Sequence, residues 1–370
     1  MEFRISKSEF LSGLGLAHGI ADRKSTLPIL ANVLLRTEGD GTLLVAATDL
    51  TVSVTAELKA KVEAEGGLTL GARHLFDIVR SAPEDELRIR RTENQWAEVK
   101  SGRAQYKLVG LADRDFPKLP NHREVTFSKL PVEAFSEMIA KTIFSVSSDE
   151  TRYHLNGVLL ESDGEILRMV STDGHRLSKI ERKLAGFPKL DQGVILPRKG
   201  LAEIARALDA ASGECELAIH RPYAFVKVGN AVLSAKLVEA QFPPYEQVIP
   251  KASERQAIVD RAKLVEALQR VAILASEKTS GVRLRFDGEV LELVSDNPDL
   301  GEAREELAVD YHGKAVTISF NARYLTELLI RMGDAEIEMS LGGELDPCIL
   351  RGKVERTDGN YLGVIMPMRT

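Results

Sequence analysis

Cysteine is nearly missing from this chain. Cys215 and Cys348 are the only two in 370 residues and have no motif spacing, which argues against a disulfide framework and against a zinc site and fits a reducing cytoplasm. Tryptophan occurs once, at Trp96, and aromatic residues make up 5% of the sequence, too few for a platform on which single strands of nucleic acid stack. No apolar run approaches the roughly 20 residues that cross a bilayer. The opening "MEFRISKSEF" is charged, so no signal peptide is expected. A Walker A sequence is lacking. "GLGLAHG" at 13–19 puts His18 where a dinucleotide fingerprint needs its third glycine. Asp113 with Asp115, or Asp296 with Asp299, lack a third ligand, so neither a metal nor another cofactor is expected.

The residues that are present repeat. A hydrophobic fraction of 44% and a charged fraction of 28% are those of a globular protein, and the length exceeds one ordinary core. Asp49, Asp173 and Asp296 follow the similar runs "LLVAAT", "ILRMVST" and "LELVS" at spacings of 124 and 123 residues. Asn32 and Asn156 keep the same interval, and "DFPKLP" at 115–120 parallels "QFPPYEQVIP" at 241–250. Three domains are expected, at 1–121, 122–250 and 251–370. Each reads as helix, strands, helix, strands. The helix candidates are 6–24, 73–82, 129–145, 198–211, 261–278 and 322–332, with Pro131 in the first turn of the third. Strand alternation marks 86–91, 214–220 and 335–341, and Asp40-Gly41 and Asp163-Gly164 read as hairpin turns. The expected class is α+β: three similar domains, each with two helices packed on antiparallel sheets.

Net charge is −6, but it is unevenly placed. The six helix candidates hold sixteen basic and ten acidic residues, and the remainder thirty-three and forty-five. A basic helical layer suits sequence-independent contact with phosphates. Lys7, Lys24, Arg73, Arg80, Lys141, Arg198, Lys199, Arg206, Arg270 and Arg323 would supply it.

"STDGHRL" at 171–177 sets Asp173 two residues from His175. One reading is an enzyme of unknown chemistry using that pair. The other takes the aspartate, present in all three copies, as a turn cap, and takes "GHRL" as the edge of a peptide pocket. No serine or cysteine stands in a nucleophile setting, which favours the second reading.

The chain resembles the beta subunit of bacterial DNA polymerase III, the sliding-clamp family. The likeness runs end to end through "TLPILANVLL" (26–35), "RYHLNGVLLE" (152–161), "STDGHRL", "ILPRKG" (195–200), "KLVEAQFPPYEQVIP" (236–250), "AILASEKTSGVRL" (272–284) and "VIMPMRT" (364–370). It implies a non-catalytic, head-to-tail homodimeric ring around duplex DNA, with helices lining the hole. It also implies a pocket for short motifs of the DNA polymerase III alpha subunit, the clamp loader, and other polymerases and repair proteins. Localisation would be cytoplasmic, on the nucleoid through DNA, with no membrane partner.

Matching positions give that pocket Leu155, Thr172, Gly174, His175, Arg176, Leu177, Pro243, Val248, Val364 and Met366. An adjoining subsite would use Arg152, His154, Asn321, Tyr324, Pro367 and Met368. DNA contacts would come from Lys24, Arg73, Tyr153, Arg198 and Lys199. The dimer seam would set Tyr106 and Leu108 against Ile273 and Leu274, with Arg103 among the flanking charges. Three positions depart from the family pattern: Thr370 removes an apolar tip, Gln247 replaces a basic residue, and Asp149 replaces an amide.

Helix spacing bears on the number of chains. Helices packed about 8–10 Å apart leave a hole of roughly 8 Å when six form a circle and roughly 25 Å when twelve do. A duplex whose major groove alone is about 12 Å wide needs the larger hole, and two chains supply it.

Overall fold

A computed structural model describes residues 1–370 except Asp40, Ala185, Lys251, Ala252, Glu254, Lys278, Glu355 and Thr370. The hairpin residue Asp40 and the departure at Thr370 therefore lie outside the described residues. Six α-helices are present among those described: α1 (Lys7–Ile20), α2 (Ala72–Ser81), α3 (Val132–Ala140), α4 (Arg198–Leu208), α5 (Arg261–Val271) and α6 (Ala322–Arg331).

Local chemistry sets their limits. The Ser6 Oγ accepts from the Glu9 N–H and starts α1. Asp260 and Asn321 do the same for Lys263 and Tyr324 at the heads of α5 and α6. Such caps satisfy amides that a helix start leaves unpaired. The helices are shorter than the apolar period suggests. The first candidate ends at Ile20, not Lys24. The third begins only at Val132, because residues 128–131 are a strand; Pro131 closes that strand and is not in the helix's first turn. The fifth stops at Val271 and tightens into a 3₁₀ turn, Ala272–Leu274. The glycine-rich run 13–19 is inside α1. There Gly13 leaves room for Leu58, since a Cβ would fall 2.9 Å from its Cδ1.

The chain forms two compact units, Met1–Ser136 with Lys199–Leu237, and Glu137–Arg198 with Val238–Thr370. The first contains a thirteen-stranded antiparallel sheet, in which Val52–Lys59 pairs with Ala231–Lys236. The second contains a nine-stranded and a four-stranded sheet, and there Arg176–Lys183 pairs with Tyr361–Ile365. The first repeat is thus hydrogen-bonded to the end of the second and the second to the end of the third, so the two units cut across the repeat. The strands expected at 86–91 and 214–220 form as read, and the third begins at Glu336. At Asp163-Gly164 the Asp163 carboxylate accepts from the Glu165 and Ile166 amides, with Gly164 at φ +101°.

Helices cover the sheets through their apolar stripes. In the second unit Leu264, Leu268 and Val271 of α5 and Leu325, Leu328 and Leu329 of α6 pack with Leu284, Phe286, Ile318 and Phe320. Each such side chain contributes about 1.5–3 kcal/mol by leaving water. Among the described residues no helix is long and apolar enough to cross a membrane.

Candidate functional site: an apolar cavity beside an arginine cleft

The second unit holds a cavity of about 200 Å³. Its floor comes from two strands. Thr172 ends Ile166–Thr172, and Arg176 and Leu177 open Arg176–Lys183. Val364 pairs with Leu177 from the neighbouring strand, and Met366 follows, its amide bonded to the His175 carbonyl at 2.8 Å. Leu155 closes one side from a 3₁₀ turn, and Pro243, Pro244, Tyr245 and Val248 close another. Leu155, Leu177 and Val364 are buried in one cluster with Phe242 and Tyr245.

The turn at the cavity's rim is built by its own side chains. The Thr172 Oγ1 donates to the Arg176 carbonyl at 2.6 Å and accepts from the Gly174 N–H at 3.0 Å. Asp173 Oδ1 accepts from the amides of His175 and Arg176 at 2.9 and 3.0 Å. Gly174 stands at φ +90°, a conformation in which a Cβ costs about 1–2 kcal/mol. Arg176 is buried and held from three sides: Nε on Asp173 Oδ2 at 3.0 Å, Nη1 on Glu327 Oε2 at 2.5 Å, Nη2 on the Phe144 carbonyl at 2.8 Å. Burial pushes the Glu327 carboxyl up, but hydrogen bonds from Arg176 and Arg323 outweigh it and hold the group below the usual range.

This wiring answers the Asp173 and His175 question. Both carboxylate oxygens of Asp173 are engaged by its own turn and Arg176, and the His175 ring stacks on Tyr324 at 5.9 Å. The pair is a turn cap and a stacking contact. Asp49 caps its turn in the same way. Asp296 does not: it lies within the strand Val290–Asn297, and Asn297 accepts from the Asp299 amide instead.

Of the expected pocket residues, Arg152, His154, Leu155, Thr172, Gly174, Arg176, Leu177, Pro243, Val248, Val364 and Met366 line the cavity. His175 does not; it lines an adjoining cleft of about 640 Å³ together with Tyr324, which the likeness gave to an adjoining subsite, and Arg152 and Arg176 also belong to that cleft. Asn321, Pro367 and Met368, given to the adjoining subsite, line neither this cavity nor the cleft; Asn321 caps α6, and the Met368 amide bonds to the Ser319 carbonyl at 2.7 Å. Pro244 and Tyr245 were not anticipated. Tyr245 donates to Glu161 Oε2 at 2.8 Å; burial and that carboxylate both raise its pKa, so the phenol stays neutral. The aromatic within "FPPYEQVIP" was the available signal. Gln247 is exposed in the 3₁₀ turn Tyr245–Val248, and Asp149 caps the Thr151 amide.

The basic layer needs correction. Lys141 is buried, paired to Glu137 at 2.8 Å and seated over the Tyr361 ring, so it cannot meet a phosphate. Helix α3 has Glu133 and Glu137 and no basic residue. Lys7 donates to the Ala82 carbonyl. Arg206 bonds the Gly15 and Leu16 carbonyls and pairs with Glu203, and Arg270 and Arg323 pair with Glu305 and Glu327. Arg80 pairs with Asp77, which is 3.9 Å from Arg73. Lys199 pairs with Asp49. Lys24 and Arg198 are exposed and have no ion pair among the described residues, and Tyr153 is 60% exposed, edge-on to His154.

The seam candidates fall on a strand edge and on the 3₁₀ turn Ala272–Leu274. Tyr106 and Leu108 are half-buried on Ala104–Leu111, which follows the exposed Arg103. That strand pairs with Trp96–Ser101 from Ala104 to Val109 but with Gly66–Gly71 only at Gly110 and Leu111, leaving the other side of its first part an open edge. Ile273 is 73% exposed and Leu274 half-buried. Gly301–Ala308, which carries Glu302, Glu305 and Glu306, is the outer strand of its sheet and was not foreseen.

Comparison with known proteins agrees along the whole chain. Residues 1–120, 129–244 and 246–369 match the N-terminal, central and C-terminal domains of the DNA polymerase III beta subunit. The beta sliding clamps of Pseudomonas aeruginosa and Escherichia coli are 36% and 34% identical, each over 100% of both chains. The crystal structure of the Pseudomonas aeruginosa sliding clamp bound to griselimycin superposes with a TM-score of 0.93 at 35% identity, covering 100% of both chains. The beta subunit of Thermotoga maritima gives 0.92 at 26%, covering 100% of this chain and 99% of its own. The fold is three-domain α+β, as the repeat implied, and the chain belongs to the DNA polymerase III beta subunit family.

Proposed function

We propose that the apolar cavity of the second unit is the docking site through which a DNA sliding clamp holds its partners. The protein is a DNA sliding clamp, a replication factor that performs no chemistry itself. The observation that carries the docking proposal is a preformed apolar hollow with a few polar groups at its rim, the usual form of a ligand site. Met366 suits a site that accepts several partners, being flexible and polarizable. The partners fitting this reading are the polymerase III alpha subunit, the clamp loader, and other polymerases and repair proteins bearing short motifs. The working location would be the cytoplasm, on the nucleoid. Titration with griselimycin, the ligand of the Pseudomonas aeruginosa clamp, tests the cavity: saturable binding that Leu177→Ser abolishes is expected, and binding indifferent to Leu177 would reject it.

Retention on DNA would be topological, since a chain that must slide cannot grip many phosphates. The functional domains on this reading are 1–121, 122–250 and 251–370, and two chains close head to tail. An open edge at 104–109 with Arg103 and Lys107, and an outer strand at 301–308 whose three glutamates outnumber its one basic residue, Arg304, are complementary in hydrogen bonding and in net charge, although Glu305 and Glu306 already pair with Arg270 and Arg304. Beside that strand, Ile273 is the exposed apolar anchor. Protein loaded on nicked circular DNA is expected to resist high salt and to escape once the circle is cut. Equal retention before and after cutting would reject encirclement. Sedimentation of Ile273→Asp should show monomers; an intact dimer would displace the proposed seam.

A further inference from the structure

The cavity and the cleft beside it share a wall made of two arginines, and the two arginines are held very differently. Arg176 is locked by Asp173, Glu327 and the Phe144 carbonyl, with Tyr324 and Phe144 rings at 4.6 and 5.0 Å. Arg152 is half-buried, and among the described residues its guanidinium is held by one neutral group: Nη1 donates to the Asp173 carbonyl at 2.9 Å. Its Nη2 lies over Gly174, only 2.8 Å from where a Cβ would stand, so the guanidinium sits across the cavity's rim.

The cleft carries an excess of positive charge. Five arginines line it against Asp149, Asp173 and Glu327. Arg152, Arg198 and Arg331 have no carboxylate within ion-pair distance among the described residues; Arg331 rests over the Phe144 ring at 5.8 Å. Hydroxyls of Ser147 and Ser148 complete the lining. Arginines that face a wide, wet cleft without counter-charge are suited to the phosphodiester oxygens of a nucleic-acid strand.

We infer that a DNA phosphate in this cleft opens the cavity, with Arg152 as the moving part. A guanidinium bond to an ionised phosphate, with both partners charged, is stronger than its bond to the neutral Asp173 carbonyl. Phosphate therefore draws the guanidinium off Gly174 and into the cleft, while Arg176 keeps the wall between them in place. The rim over Leu177 and Val364 widens, and an apolar ligand enters a site already cleared. Linkage is reciprocal, so a ligand in the cavity strengthens DNA binding by the same factor. A clamp built this way takes partners more readily on DNA than off it.

This inference rests on the cavity being a ligand site. The test is calorimetric titration of the full-length protein with griselimycin, with and without a short duplex oligonucleotide, at matched ionic strength. The duplex should tighten griselimycin binding about five-fold, a coupling of ordinary size. Arg152→Gln should bring the ratio of the two affinities to one, and Arg331→Ala should reduce it. A ratio of one in the unaltered protein, or weaker binding with the duplex, overturns the coupling while leaving the cavity reading intact. An effect that persists in Arg152→Gln removes Arg152 as the moving part. Absence of griselimycin binding both with and without DNA would remove the cavity reading and the inference with it.

Discussion

The turn at 48–52 in the first unit and the turn at 172–176 in the second are wired alike, and the second lines the apolar cavity. In both, a threonine hydroxyl bonds the carbonyl four residues on and the amide two residues on. In both, an aspartate oxygen accepts the next two turn amides. The differences are side chains. Leu50 takes the place of Gly174, Thr51 that of His175, Val52 that of Arg176, and Ser53 that of Leu177. Across the strand, Ser234 faces Ser53 where Val364 faces Leu177. In the first unit Thr48 and Ser53 hydroxyls then close on each other at 2.8 Å. The backbone provides the corner, and a leucine and a valine in place of two serines make it an apolar site.

Converting one corner toward the other should therefore have its largest effect at Leu177. Leu177→Ser removes a buried side chain from the cavity floor. Loss of griselimycin binding by at least roughly a hundred-fold, near 2.7 kcal/mol, is expected, with about 2–5 kcal/mol of stability lost. Thermal unfolding and calorimetry would measure both. Ser53→Leu in the first unit should not create a binding site, since Ser234 still faces it and the Thr48 hydroxyl, though it loses the Ser53 contact, stays tied to the Val52 carbonyl and the Leu50 amide.

Gly174→Leu is the next step in the same conversion. Leu50 tolerates φ +76° in the equivalent turn, so the second unit should still fold, at about 1–2 kcal/mol. The new side chain would meet the Arg152 guanidinium at the rim. A roughly ten-fold weakening of griselimycin, about 1.4 kcal/mol, is expected by calorimetry. Unchanged affinity would mean that the rim is not the entrance.

Asp49 gives the first corner a dependence on pH. Burial pushes Asp49 up, but Lys199 and then the Val52 and Thr51 groups outweigh it, and its carboxyl is held below the usual range. A group with a lowered folded pKa stabilises the protein above its unfolded value, about 3.9, and loses that contribution as pH falls through the folded value. Asp49→Asn should therefore cost about 1 kcal/mol at neutral pH, less in acid, and flatten the acid limb of the stability curve. Denaturant unfolding between pH 3 and 7 checks the sign.

What could be read beforehand follows from the range of the forces involved. Turn chemistry is local, so Asp49 and Asp173 were legible as caps from spacing alone. The apolar period found all six helices, because packing against a sheet demands it. Their ends were missed where a longer-range partner decides: residues 128–131 pair with Glu214–Leu217, and that pairing takes Pro131 out of α3. Lys141 reads as a surface cation, but Glu137 and Tyr361 cover it, and the second of these is 220 positions away. The cavity's apolar members followed from the family likeness, whereas the exclusion of His175 depends on a stacking contact with Tyr324 that no local pattern encodes.

The smallest effect should come from Leu50 itself. Its side chain is 53% exposed and its φ of +76° is one that only glycine adopts freely. Leu50→Gly relieves strain worth about 1–2 kcal/mol and raises the entropy of the unfolded chain, which costs about 0.4–1 kcal/mol. The net gain is then between nothing and about 1.5 kcal/mol, read as a rise in denaturant midpoint without a change in slope. Griselimycin affinity should not move, since the cavity is lined by residues of the second unit. A loss of stability larger than about 1 kcal/mol would instead mean that the exposed leucine makes a contact the folded chain depends on, and the two corners would then differ in more than the four side chains beside their shared turn.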